Sequence, residues 1–307
     1  MPTAALATAD ETAPAHLTGL FGELNDLKRI RSAGRAGSIA TRLFRSAWLA
    51  LVRGDPPETV MRRTAAAALC AARFADLDRS ALTVLGLAPA AIDEVLRAGF
   101  DGVAEGVPEP LRSRLREGVG AALPLNGEAP PFVTQLQDQP RAGVTCPGQP
   151  RIVLEPPENH AEHCLMVAVY GVLLSPTYGA DPTTVFLAAL AHHFHNALMP
   201  DAGFTGEVLL GEHLDAAIAH AAEQALSQLA PRLREEVQTA RRILPDAATP
   251  EGRAFHAADV IDRVLQIAQH LRAASLTMGR VLDEMHLVHE GPVKPFHDRV
   301  LREMCLS

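Results

Sequence analysis

Lysine is almost missing from this chain of 307 residues: Lys28 and Lys294 are the only two, and arginine carries the rest of the positive charge. With 36 acidic against 28 basic residues the formal net charge is -8, which argues against general nucleic-acid binding through phosphate neutralisation. No run of about eighteen apolar residues occurs, so no membrane-spanning helix is expected. The first residues lack a basic stretch followed by a long apolar one, and are expected to be a frayed tail and not a signal peptide. The four cysteines, Cys70, Cys146, Cys164 and Cys305, are far apart with no Cys-x-x-Cys pair, as suits reduced thiols in a cytoplasm. No phosphate-binding G-x-x-x-x-G-K-[ST] loop, G-x-S-x-G elbow or H-E-x-x-H helix appears, and there is no internal repeat.

What the chain does have is apolar content, 48%, enough for one large domain or two ordinary ones. Its patterning is helical throughout. Ile39, Leu43, Phe44, Ala47, Leu51 and Val52 make a helical stripe closed by Gly54, and Asp55-Pro56 opens the next helix, which runs to Leu77. Shorter helices follow: one capped by Asp78, one from Pro89 stopping at Gly99, and one from Pro110 stopping near Gly118. The early basic residues, Lys28-Arg29-Ile30-Arg31 with Arg35, Arg42 and Arg45, are expected to form a solvated face. Between Leu123 and Pro157 proline, glycine and glutamine crowd the sequence, so helix is not expected to persist there and a domain boundary is placed within it. A second helical series then runs from Asn159 to Leu174, Pro182 to Leu198, Glu212 to Leu229, Pro231 to Leu244 and Arg253 to Met278, with a last helix from Pro295 to Leu306. On the fifth of these, Val260, Val264, Ile267 and Leu271 share one face.

The stretch that draws attention is Leu187 to Asp201, L-A-A-L-A-H-H-F-H-N-A-L-M-P-D. Phe186, Leu190, Phe194 and Leu198 recur every four residues as a buried helical stripe, with His192 and His193 partway along it. Buried imidazoles need carboxylates, backbone carbonyls or a metal as partners. His163, His213, His220 and Asp259 lie on neighbouring predicted helices, and ligands from separate helices that converge inside a bundle are how helical proteins build metal sites. On spacing alone, satisfied core histidines explain the pattern as well.

Three local sequences add to this. Glu158-Asn159-His160-Ala161-Glu162-His163-Cys164, the Leu187–Asp201 stretch, and Phe255-His256-Ala257-Ala258-Asp259-Val260-Ile261-Asp262 resemble, in order and spacing, the three motifs of the HD-domain superfamily. The nearest look is to the branch that includes bacterial 5′-deoxynucleotidases. The resemblance implies an all-α fold, an HD-domain helical bundle over residues 156–307 preceded by a smaller helical module over residues 1–125, with residues 126–155 as linker or ordered loop. It implies a divalent metal held by His163, His192 and Asp259. The family's aspartate after the first histidine of the second motif is here His193, so a three-histidine, one-aspartate set is expected, favouring a single transition metal (Zn, Fe, Co, Ni or Mn) over Mg or Ca.

Asn196 stands where the resembling branch carries a glutamate, and asparagine is no general base, so the resemblance leaves Asp201 as the catalytic group assisting water attack. His213 and His220 are weighed as extra ligands of a dinuclear version or as helix-surface residues. His195 and His256 are weighed as groups behind the ligands. His160 is expected on an exposed loop, Glu162 at the start of its helix, Asp262 in a surface ion pair with Arg263 or Arg253, and Cys164 as a small buried apolar residue. The expected activity is a metal-dependent phosphohydrolase acting on a small phosphate ester such as a nucleotide, in the cytoplasm, with no nucleic-acid or membrane partner; a homodimer is compatible with the sequence. The alternatives are a non-catalytic HD-like binding protein with a degenerate site and a non-haem diiron oxygenase.

Overall fold

A computed structural model describes residues 14–275 together with Thr277, Lys294 and Leu301. The first helix, α1 (Thr18–Asn25), buries Phe21 and Leu24 and passes into a 3-10 turn, Asp26–Lys28. Helix α2 (Ile39–Arg53) starts where the Ser38 hydroxyl accepts the Thr41 amide hydrogen, and it stops at Gly54. After the Asp55-Pro56 break come α3 (Pro57–Phe74), α4 (Arg79–Val84), α5 (Pro89–Val103) and α6 (Leu111–Arg116). The Asp78 carboxylate caps α4 by accepting from the Ala81 amide. Helix α5 runs past Gly99, where a stop was expected; a Cβ there would strike the Phe74 ring, so this glycine serves close packing, not termination.

Residues 126–155 are not free of helix. Pro130-Pro131 opens α7 (Pro131–Asp138), because the first turn of a helix does not need the amide hydrogen that proline lacks, and Phe132, Val133 and Leu136 then bury one face. Beyond it the chain runs extended, with isolated antiparallel bridges pairing Pro140 with Asn159 and Val144 with Ile152. Helix α8 (His160–Tyr178) follows, opened by a capping box: the Asn159 side chain accepts from the Glu162 amide, and the Glu162 carboxylate accepts from the Asn159 amide. It runs through Pro176 instead of ending before it.

Helix α9 (Pro182–Ala191) stops short of the histidine pair, where a helix to Leu198 was expected. The reason is local competition for backbone acceptors: the Ala189 carbonyl accepts from His192 Nδ1 and the Ala191 carbonyl from the Arg241 guanidinium. A 3-10 turn, Phe194–Ala197, replaces the missing turns. The remaining helices are α10 (Gly203–Leu210), α11 (Leu214–Leu226), α12 (Pro231–Ala240) and α13 (Pro250–Ala274). Among the described residues every regular element is helical, so the fold is all-α.

The element at the centre is α8, buried along its length from His160 to Ser175, with α2 and α9 packed against it. Beside it Phe44, Trp48, Phe132 and Phe194 form one aromatic cluster with no exposed member. Phe186 and Leu190 are buried as the stripe predicts, whereas Leu198 and Val260 are exposed. The chain divides into two compact units, Met1–Arg263 and Val264–Ser307. Helices α1 to α12 fall within the first unit. The expected frayed tail, the helix expected at Pro295 to Leu306, and Cys305 lie outside the described residues.

Candidate metal centre

The capping box fixes the start of α8, and one turn in it places His163, which is fully buried. Its Nδ1 lies 2.7 Å from Asp262 Oδ2. A carboxylate in its ordinary ionised form only accepts, so Nδ1 carries the hydrogen and Nε2 is left as a lone pair or a second N–H. That Nε2 faces Asp259 Oδ1 at 3.2 Å. Two acceptors at that distance need a cation between them, a proton or a metal ion.

His192, the first residue past the end of α9, repeats the logic. Its Nδ1 donates to the Ala189 carbonyl at 2.6 Å, which leaves Nε2 as an acceptor, and this atom is buried without a hydrogen-bond partner. Burial pushes the imidazole well below the usual histidine range, so the ring is neutral, the form that binds metals. The rings of His163 and His192 are 5.0 Å apart between centroids. Asp259, on α13, is held below the ordinary carboxylate range: burial would raise it, but the His163 imidazole beside it more than offsets that. Arg263, one turn on, pairs with its other oxygen.

His193 is brought to the same place but is engaged on both nitrogens. Asn196 donates its amide to the Met199 carbonyl, so its Oδ1 faces His193 and accepts from Nδ1 at 2.7 Å. The remaining lone pair on Nε2 lies 3.3 Å from an Arg141 guanidinium nitrogen. The ligand atoms of His163, His192 and His193 nevertheless all lie within 4.8 Å of one another, close enough to hold one ion. Asn196 thus acts on the tautomer of His193, not on a proton of the reaction.

The donor set fits a divalent transition ion. His163 and His192 each have one nitrogen locked by a hydrogen bond of the kind that orients metal-bound histidines, their ligand atoms lie within 4.8 Å of each other and of His193, and an Asp259 oxygen stands 3.2 Å from His163 Nε2. His163, His192 and Asp259 would hold the ion, with His193 as a fourth donor in competition with Arg141.

Three expectations are corrected by burial. His160 is fully buried at the start of α8, its ring 4.7 Å from that of His193 and its Nε2 3.4 Å from Asp201 Oδ2, because the capping box draws it into the helix. Asp262 is not a surface group: it is fully buried and lies against His163 and Lys28, not against Arg253 or Arg263. Lys28 is itself buried, so the early basic stretch is not all solvated face. His213 and His220 are exposed, and among the described residues neither belongs to a group of side chains spaced to hold a metal. Cys164 is fully buried, as expected.

Asp201 is fastened in place. Its oxygens accept from the Ala142 and Gly203 amides, each at 2.9 Å, and the His160 ring stands beside it. Although burial would raise it, these bonds hold its pKa below the ordinary carboxylate range. Gly203 is required at this corner: its φ of 67° lies in the left-handed region, and a Cβ would collide with the Thr145 side chain. His195 is half-buried, 5.3 Å from the His193 ring, and burial lowers its pKa to about 4. His256 is half-buried against Phe255, whose own ring packs on His192.

Sequence reasoning missed Lys28 and Arg141. Arg141 is placed by the extended piece that runs beside the start of α8: its amide donates to the Glu158 carbonyl, and its side chain lies 3.7 Å from the Glu158 carboxylate. Neither residue belongs to a recognisable motif; only the rarity of lysine marked Lys28. No described helix is long and apolar enough to cross a membrane.

Against known proteins, no curated protein matches this chain and no solved structure matches it. A family model described as the HD domain matches residues 133–294, a stretch that contains His163, His192, His193, Asp201 and Asp259. That stretch covers more than half of the chain, and the chain belongs to the HD-domain family.

Proposed function

We propose that the protein is a metal-dependent phosphohydrolase acting on a small phosphate ester, with one divalent transition metal held by His163, His192 and Asp259. The observation that carries this reading is that His163, His192 and His193 place ligand atoms within 4.8 Å of one another while Asp259 Oδ1 stands 3.2 Å from His163 Nε2, with His163 and His192 each locked on the other nitrogen. When bound, the metal supplies Lewis acidity toward a phosphoryl oxygen and toward water.

The chain's own residues do the rest. The Arg141 guanidinium, against His193 and about one-fifth exposed, offers the planar pair of donors that suits a phosphate, and a phosphate that draws it away frees His193 Nε2. Asp201 has its oxygens committed to two amides and a low pKa, so it is a weak base by itself. Beside it stands the His160 ring, with Nε2 3.4 Å from Asp201 Oδ2 and kept neutral by burial, and this pair is the group proposed to take the proton of the attacking water.

The second reading is a non-catalytic binding protein, and one observation favours it: Arg141 sits on His193, where a metal would need the lone pair. The two are separated by assaying phosphate release from a panel of nucleoside monophosphates and p-nitrophenyl phosphate with Mn, Co or Zn added. The hydrolase reading expects metal-dependent release that Asp259→Ala abolishes and a KM that rises in Arg141→Ala. Tight phosphate binding without release by the parent would establish the binding protein.

A further inference from the structure

Lys28 lies on the 3-10 turn after α1, outside the stretch matched by the HD-domain model, yet its side chain ends inside the candidate centre. It is 3% exposed, and its ammonium lies 2.5 Å from Glu158 Oε1 and 2.6 Å from Asp262 Oδ1. The second oxygen of Asp262 takes His163 Nδ1 at 2.7 Å, and the far nitrogen of that ring faces Asp259. A continuous polar chain therefore runs Lys28, Asp262, His163, Asp259. Glu158, His163 and Asp262 also form a second group spaced to hold a metal ion, and the Lys28 ammonium contacts both of its carboxylates.

A buried ammonium is retained at a cost unless it is fully paired, and here two buried carboxylates pair it. Without it, Glu158 would keep only the more distant Arg141 and Asp262 only the His163 ring, and Asp262 would lose the cation that fixes the orientation from which it accepts the imidazole hydrogen. We propose that Lys28 is a positioning residue of the metal centre: it fixes the Asp262 carboxylate, which holds His163 in the tautomer that presents Nε2 to the ion, and it fills the place that a second cation would take. This rests on the metal-centre reading above. It makes the N-terminal segment part of the site and limits the centre to one metal.

Two sets of measurements on the full-length chain test it. Only two lysines exist, so [15N]lysine labelling gives two side-chain ammonium signals, assigned by Lys294→Arg. The Lys28 signal is expected to exchange slowly with water; exchange as fast as that of a free lysine overturns the proposal. Lys28→Met is expected to weaken Co2+ binding about 10- to 100-fold, the usual cost of losing such an outer partner, and to alter the visible Co2+ spectrum, with Lys28→Arg restoring most of both. In the metal-free protein, long-range imidazole 15N spectra are expected to show His163 as a single Nδ1–H tautomer in the parent and as a mixture in Lys28→Met. Unchanged affinity and an unchanged tautomer overturn the proposal. A parent that binds no Co2+ defeats the metal-centre reading, while the tautomer comparison still decides what Lys28 does. If Lys28→Met does not fold, the ammonium exchange in the parent and the Co2+ spectrum of Lys28→Arg decide it.

Discussion

Phe194 is the residue whose truncation should do most damage for its size. It follows directly on the histidine pair and is fully buried, its ring centroid 4.6 Å from Phe132 and 5.4 Å from Trp48, with the Arg241 guanidinium 5.6 Å above its face. Phe194→Ala removes a whole ring from a close-packed cluster, which costs about 3–5 kcal/mol from lost transfer energy and the cavity left behind. The effect reaches the site because the same 3-10 turn carries Asn196, whose oxygen sets the tautomer of His193. Trp48 is the only tryptophan and touches Phe194, so its fluorescence during denaturant unfolding reports on this cluster. Val84→Ala, at a residue 85% exposed, is the control, and should change stability by no more than about 0.5 kcal/mol. A Phe194→Ala variant as stable as that control would refute the claim that the histidine pair is anchored by this cluster.

Other consequences follow from burial and charge. Burial lowers the pKa of His160, His192, His193 and His195, the last to about 4, so between about pH 6.5 and 4 the unfolded chain takes up protons that the folded one refuses. Stability of the metal-free protein is then full above about pH 6.5 and declines as pH falls toward 4. Below that the depressed carboxylates Asp201 and Asp259 continue the loss. Melting temperature against pH checks this, and a flat profile from pH 7 to 4 contradicts it. Burial also pushes the thiols of Cys70 and Cys164 up to about 12, so iodoacetamide at pH 8 should modify the exposed Cys146 and spare these two until the protein unfolds, as peptide mapping would show.

That His163, His192 and His193 come together was legible from the motifs that resemble the HD domain, not from spacing alone. His163 follows from the capping box that begins at Asn159, and Asp259 from its place on a long helix. The end of α9 was not legible: Phe194 stays on the apolar stripe whether the chain continues as α-helix or tightens to 3-10, so periodicity cannot tell the two apart. The break goes with two side chains on backbone acceptors, His192 on the Ala189 carbonyl and Arg241, fifty residues away, on the Ala191 carbonyl. His160, Asp262 and Lys28 were misjudged for a related reason, since polar side chains default to the surface unless their partners are known, and those partners come from distant segments. α7 was missed because proline reads as a helix breaker, although at the first turn it starts one.

The most direct test of the account is the metal content of the untagged protein by elemental mass spectrometry, with His163→Ala and Asp259→Ala alongside. About one equivalent of a transition metal in the parent, lost in both variants, is the predicted result. No metal in the parent, even after incubation with Mn, Fe, Co or Zn, would contradict the claim that His163, His192 and Asp259 form a metal centre.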